Sequence, residues 1–299
     1  MTTQPWRPLG TDTEDKIAAY DALHPGVPDW MKPGYWAWVE AALVRGAGGD
    51  GYGAQLYRAD ADLITAMGQE LQVALPVVSN DAVYESSVKS TLAPVIAALM
   101  RIKNPLAIAD YLLYRGAPGA QLDDLLARCK SAYKVGQRAG HPGLEERVAK
   151  GVQDAADDTM QQAGAAGVRL AEAWGELYGL NSDPSKAYAL AIKAVEDVAA
   201  KKVSPLNDKA TLGTVIRDME NQKSWSLPMT QDPTQAPSGD VLLGMMRLLW
   251  HGQHDRHGGQ VSGAKPAPVT KEEAAVAVGL AVTLVHWFHS DLPARTVAP

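Results

Sequence analysis

The chain is poor in cysteine, in aromatic residues and in long apolar runs. One cysteine, Cys129, and one phenylalanine occur among its 299 residues, and aromatic side chains make up only 6%. A single cysteine excludes an intramolecular disulfide and a thiolate metal cluster. No apolar run approaches the roughly 20 residues that span a bilayer, and the first residues carry no apolar signal-peptide core. We therefore expect a cytoplasmic protein with no membrane partner.

The chain also lacks an excess of positive charge. It contains 28 Lys and Arg against 34 Asp and Glu, which gives a formal net charge of −6. Non-specific binding to nucleic acid depends on basic side chains that neutralise phosphates. This chain is therefore not expected to coat DNA or RNA, although its charge is compatible with a local RNA site.

Alanine and aliphatic residues at helical spacing dominate the sequence. The apolar fraction is 46%, and alternation typical of strands is scarce. We therefore predict an all-α protein. Helices are predicted over 54–75 and 122–137, and one long helix is predicted over 144–178, with a possible interruption near Gly164 and Gly167.

Two groups of helix-breaking residues divide these helices. The glycine-rich stretch 46–53 lacks the Gly-Lys-Ser/Thr ending of a phosphate-binding loop, so we predict a flexible interhelical loop there. The second group, at 138–143, predicts a domain boundary. The expected organisation is a helical N-terminal domain over 1–140, a helical bundle over 144–290 and a tail over 291–299.

The densest group of chemically useful side chains lies at 247–259. It follows a predicted loop over 224–240 and an apolar helix, and it reads Arg-Leu-Leu-Trp-His-Gly-Gln-His-Asp-Arg-His-Gly-Gly. Arginine holds a phosphate in a fork of donors, and histidine exchanges a proton near neutral pH. The segment could cleave RNA without a metal, bind a metal, or simply be a polar helix end.

Three segments of the C-terminal part occur in an order that resembles a known family. Residues 183–196 begin with Asp-Pro-Ser-Lys-Ala and end in Ala-Val-Glu, and 210–219 contain Thr-Leu-Gly. The His257-Gly258 pair ends the third segment. In this order they resemble the HEPN-type domain at the C-terminus of bacterial abortive-infection (Abi) proteins. The resemblance, from about residue 150 to 290, implies a HEPN-like helical bundle.

The resemblance also implies a function. Members with an Arg-(polar)-x(4–6)-His motif are metal-independent ribonucleases, commonly dimeric, with the motifs of two protomers facing one cleft. An endoribonuclease of phage-defence or toxin–antitoxin type is therefore expected, without a cofactor. Its implied partners are RNA, a second copy of the chain, and an antitoxin or phage-derived trigger. The alternative is a non-catalytic HEPN-like dimerisation or recognition module, possibly encoded by a phage or prophage.

The resemblance implies a catalytic arginine–histidine pair, but the spacing does not decide which histidine acts with Arg247. In such a reaction one group takes a proton from the ribose 2′-OH, another protonates the leaving 5′ oxygen, and arginine stabilises the growing charge. Six residues separate Arg247 from His254, which fits the family spacing. The His-Gly pair instead points to His257, which nine residues separate from Arg247 and which Arg256 adjoins.

A metal site is a third interpretation of the histidines. His251, His254 and His257 are three residues apart, and His286 and His289 repeat that spacing. Two imidazoles at i and i+3 lie on one helix face, and two such pairs can complete a tetrahedral zinc site. The alternative metal ligands are therefore His251, His254, His286 and His289.

A group of basic residues in the N-terminal half is a candidate RNA-binding surface. Arg128, Lys130, Lys134 and Arg138 have no acidic residue between them and are predicted to share a helix face. A solvated face is the ordinary interpretation of this pattern. Contact with an RNA backbone or with a protein partner is the alternative.

Overall fold

The chain folds into two compact units, which divide between Arg147 and Val148. The computed structural model describes residues 6–138, 140–231, 234–253 and 267–295. Within these ranges twelve helices and six short strands occur, so the protein is mainly helical, as expected, but the strands depart from the all-α prediction. No helix of the described part has both the length and the apolar character of a membrane span.

The first unit combines six helices with two β-hairpins. Its core is built on α2, α4 and α5, where Tyr35, Leu92 and Leu112 are fully buried. The helices are α1 Glu14–Asp21, α2 Lys32–Ala42, α3 Ala61–Glu70, α4 Glu85–Leu99, α5 Leu106–Tyr114 and α6 Ala120–Arg128. The strands are β1 Val44–Gly49, β2 Gln55–Ala59, β3 Tyr133–Arg138 and β4 His141–Glu146.

The first hairpin corrects two sequence-based predictions. The stretch 46–53 is not an interhelical loop, because most of it belongs to β1 and to the turn that leads into β2. The helix predicted over 54–75 is likewise wrong at its start, since α3 begins only after Asp60, whose side chain accepts a hydrogen bond from the Leu63 amide. Gly48 adopts a φ of +90°, which side-chain-bearing residues rarely reach, so glycine permits the bulge in β1.

The second hairpin corrects the predicted helix over 122–137. That helix ends at Arg128, and the chain then pairs β3 with β4 in antiparallel register. The breaker-rich stretch includes the end of β3 at Arg138 and the start of β4 at His141. The two compact units divide a few residues later, between Arg147 and Val148.

The second unit is a bundle of six helices with one short strand pair. The central helix α9 packs against α8, α10 and α12, and buries Ala191, Val195 and Ala199 completely. The helices are α7 Lys150–Gln162, α8 Gly164–Tyr178, α9 Pro184–Val203, α10 Leu212–Gln222, α11 Ser238–His251 and α12 Lys271–His289. The strands β5 Trp225–Ser226 and β6 Ala294–Arg295 pair with each other.

The helix predicted over 144–178 is wrong at its start, which belongs to β4, but the interruption expected near Gly164 is confirmed, since α7 and α8 meet there. The break lies at Ala163, and Gly164 adopts a φ of +56°. A Cβ atom on Gly167 would overlap the Met160 carbonyl oxygen. The glycines therefore let the chain change direction and let the two helices approach closely.

Candidate functional site

Arg247 lies on the exposed side of α11 and contacts a glutamate of α10. Its Nε and Nη2 donate hydrogen bonds of 3.0 and 2.6 Å to Oε1 of Glu220. The Arg247 and Glu220 side chains are 49% and 40% exposed, respectively. An exposed ion pair of this kind contributes only about 0–1 kcal/mol, so an incoming anion can compete for the guanidinium.

Arg247 lines a groove with a volume of about 890 Å³ between the end of α10, β5 and the first turns of α11. Its walls combine apolar, cationic and acidic side chains. The lining residues are Met219, Glu220, Lys223, Ser224, Trp225, Ser226, Pro237, Gly239, Asp240, Leu243 and Arg247.

Local structure shapes one wall of this groove. The helix α10 ends at Lys223, which adopts a left-handed φ of +53° and turns the chain into β5. A Cβ atom on Gly239 would overlap the Trp225 carbonyl oxygen, so α11 begins directly against β5. The amide of Leu227 also donates to Ser238 Oγ at 3.1 Å. The stretch predicted as a loop over 224–240 therefore contains an ordered strand and the start of α11.

The strand β6 adds a second support to this wall. Trp225 pairs with Arg295, and Arg295 Nε donates to Ser224 Oγ at 3.2 Å. The Trp225 indole Nε1 donates to Gln222 Oε1 at 2.6 Å. These contacts hold Trp225 between the end of α10 and the last described strand.

Only part of the predicted catalytic set is described. Arg247 lies one helical turn before His251, the exposed last residue of α11. His254, Arg256 and His257 lie outside the described residues. The pairing of Arg247 with either histidine therefore stays a prediction.

The histidines of the alternative metal site occupy helix ends. His251 ends α11, and His286 and His289 are exposed in the last turn of α12. No group of three or more potential metal ligands occurs within the described ranges. The four-ligand set also includes His254, which these ranges do not cover. Basic side chains are common in the last turn of a helix because the helix dipole favours them there, which accounts for these positions without a metal.

The predicted basic helix face is wrong. Arg128 ends α6, Lys130 follows it with a φ of +54°, and Lys134 lies in β3, as does the backbone of Arg138. Lys130 Nζ lies 2.9 Å from Asp21 Oδ1, and Lys134 Nζ lies 2.9 Å from Glu145 Oε1. Two of the four cations are therefore already paired with carboxylates of their own unit, and RNA binding by this group stays a prediction.

Sequence reasoning missed the groove beside Arg247. Glu220 precedes Arg247 by 27 residues, and no local spacing joins the two. Trp225 offered the one available signal, since it stands among polar residues just before a proline-containing segment. Tryptophan is enriched at binding surfaces, because its ring is apolar and its N–H can form a hydrogen bond.

No protein-family model, curated protein or solved structure matches the chain.

Proposed function

We propose that the second unit is a metal-independent endoribonuclease of HEPN type that acts in phage defence or as a toxin. The main observation that supports this proposal is the exposed guanidinium of Arg247, which Glu220 orients at the edge of a groove. His251 ends the same helix, and His254 and His257 follow it closely in the sequence. A phosphate donor and proton-transfer groups therefore occur on one short stretch of chain.

The proposed reaction is attack by the ribose 2′-OH on the adjacent phosphate. A bond forms between O2′ and phosphorus, and the bond from phosphorus to O5′ breaks. A neutral histidine, His254 or His257, takes the 2′ proton, and a second acid protonates O5′. Arg247, or Arg256 beside His257, donates N–H groups to the non-bridging oxygens as their charge grows. The products are a 2′,3′-cyclic phosphate and a 5′-OH.

We also propose where the enzyme acts and what it binds. It acts on RNA in the cytoplasm without a cofactor, and two copies of the chain bring their histidine segments to one cleft. The first unit binds an antitoxin or a phage-derived trigger. Because the reaction needs the 2′-OH, DNA is not a substrate.

The decisive experiment incubates purified protein with total RNA in the presence of EDTA. Cleavage that leaves 2′,3′-cyclic phosphate ends is expected, and Arg247→Ala should lower the rate roughly 100-fold or more, as the loss of a charge-stabilising donor does elsewhere. Replacing His254 and His257 separately by alanine identifies the proton-transfer group. The matched control is Arg217→Ala, since Arg217 is an exposed arginine of α10 outside the groove lining.

RNA that stays intact with the wild-type protein, with EDTA and also with added magnesium or zinc, contradicts the proposal. That outcome favours the second candidate, a non-catalytic recognition module. The Glu220 contact is also compatible with this candidate, because it occupies two of the Arg247 donors that catalysis would use. The module would bind RNA or a partner without cutting.

A further inference from the structure

Trp225 is an aromatic side chain that lines the groove and also packs against the core of the second unit. Its side chain is half-buried, its indole N–H is bound by Gln222, and its backbone is paired with Arg295. Gly239 packs against its carbonyl oxygen. An aromatic ring that is already fixed loses little conformational freedom when a planar group stacks on it.

The charges of the groove are mixed. Lys223 and Arg247 are cationic, whereas Glu220 and Asp240 are acidic. Within the described ranges, no hydrogen bond or ion pair involves the side chains of Lys223 and Asp240. The contacts of Arg247 use Oε1 of Glu220 alone. The groove therefore offers donors for an anion together with carboxylate oxygens that accept N–H groups.

The groove also has an apolar part and a volume that suits a small ligand. Met219 is buried and Leu243 is half-buried, and both line the groove together with Trp225. The volume of about 890 Å³ lies within the range of about 300–1,000 Å³ that is usual for small-ligand sites. A nucleotide carries the three complementary parts: a planar apolar base, N–H donors on the base edge, and a phosphate.

We propose that this groove binds one nucleotide of an unpaired RNA strand. The base stacks on Trp225, its N–H groups face Asp240 and the free oxygen of Glu220, and a neighbouring phosphate faces Lys223 and Arg247. A duplex is excluded from this arrangement because its bases stay stacked on one another, whereas a single strand can turn a base outward. The inference rests on the proposed ribonuclease and names the form of its substrate.

The test measures binding separately from cleavage. A 2′-O-methyl RNA hexanucleotide cannot undergo 2′-OH attack, and its binding to the full chain is followed by fluorescence anisotropy. Loss of base stacking in Trp225→Leu should weaken binding roughly 10- to 100-fold. Trp225→Phe should keep most of the affinity, since it keeps an aromatic face. The matched control is Trp30→Leu, because Trp30 is an exposed tryptophan of the first unit.

A second variant guards against misfolding of Trp225→Leu. Lys223 is exposed and its side chain makes no hydrogen bond within the described ranges, so Lys223→Glu should keep the thermal midpoint. It should weaken binding of the hexanucleotide several-fold and reduce the dependence of affinity on salt. Unchanged affinity in both Lys223→Glu and Trp225→Leu overturns the proposal.

Two further ligands complete the test. A free nucleoside monophosphate should bind much more weakly than the hexanucleotide, and so should a 2′-O-methyl duplex of equal length. Equal affinity for either one overturns the assignment to an unpaired strand.

Cleavage of unmodified RNA separates this inference from the proposed function. A wild-type protein that binds the hexanucleotide but never cuts RNA contradicts the ribonuclease and leaves the nucleotide site. A wild-type protein that cuts, with the same KM in Trp225→Leu, contradicts the nucleotide site and leaves the ribonuclease.

Discussion

The β3–β4 hairpin of the first unit and the groove of the second unit use the same kind of ion pair in opposite ways. Lys134 and Glu145 face each other across the hairpin, where the Glu145 side chain is 8% exposed and packs over Gly136. Arg247 and Glu220 form a shorter contact of 2.6 Å, but their side chains are 49% and 40% exposed to water. The closed pair is part of the fold, whereas the open pair is available to a ligand.

The largest expected effect is a difference in stability loss when the glutamate of each pair is replaced by alanine. Glu145→Ala should lower the free energy of unfolding of the first unit by about 2–3 kcal/mol, because it leaves Lys134 without its partner. This loss is smaller than the roughly 3–5 kcal/mol usual for breaking a fully buried pair, since the lysine can turn its ammonium to water. Glu220→Ala should cost less than about 1 kcal/mol. Native-state hydrogen exchange of amides in β3 and in α10 measures each effect, and equal losses would contradict the distinction.

Two glycines of the second unit offer a similar comparison between a tightly packed position and an exposed one. Gly167→Ala should destabilise the bundle by about 1–3 kcal/mol, because the added Cβ meets the Met160 carbonyl oxygen. Gly244 lies in the exposed part of α11 with nothing near its Cβ position. Gly244→Ala should therefore stabilise by up to about 1 kcal/mol. Calorimetry of both variants should show shifts of opposite sign, and shifts of one sign would refute the packing argument.

The smallest effect concerns the ion pairs that Asp21 of the first unit forms with Arg7 and Lys130, and their dependence on pH. Hydrogen bonds from Arg7 and Lys130 lower the pKa of Asp21 below its ordinary value of 3.8. A lowered pKa in the folded state stabilises the protein above about pH 4, and this stabilisation is lost as the pH falls through the folded-state value. Asp21→Asn should therefore lower the thermal midpoint slightly at pH 7 and less at pH 3. A larger difference at pH 3 would show that the two cations do not stabilise the Asp21 carboxylate.

The parts of the fold that follow from neighbouring residues could be predicted from the sequence. The helix α9 begins after Asp183, whose side chain accepts from the Lys186 amide, and α12 begins with a capping box formed by Thr270 and Glu273. Both starts can be read from the sequence, because a cap and its partner lie within four residues.

The hairpins and the groove depend on residues that are distant in sequence. Glycine-rich β1 has little strand propensity of its own, and its structure comes from pairing with β2. The contact of Glu220 with Arg247 likewise needs the packing of α10 against α11. Local spacing could therefore nominate Arg247 as a site residue but could not reveal the groove beside it.

The pairing of β5 with β6 has a consequence for the protein during its synthesis. Trp225 receives its backbone partner from Arg295, which the ribosome adds 70 residues later. A nascent chain can therefore form most helices of the second unit before the wall of the groove is complete. If the chain cuts RNA as proposed, this order postpones completion of the groove until Arg295 has emerged from the ribosome that is translating it.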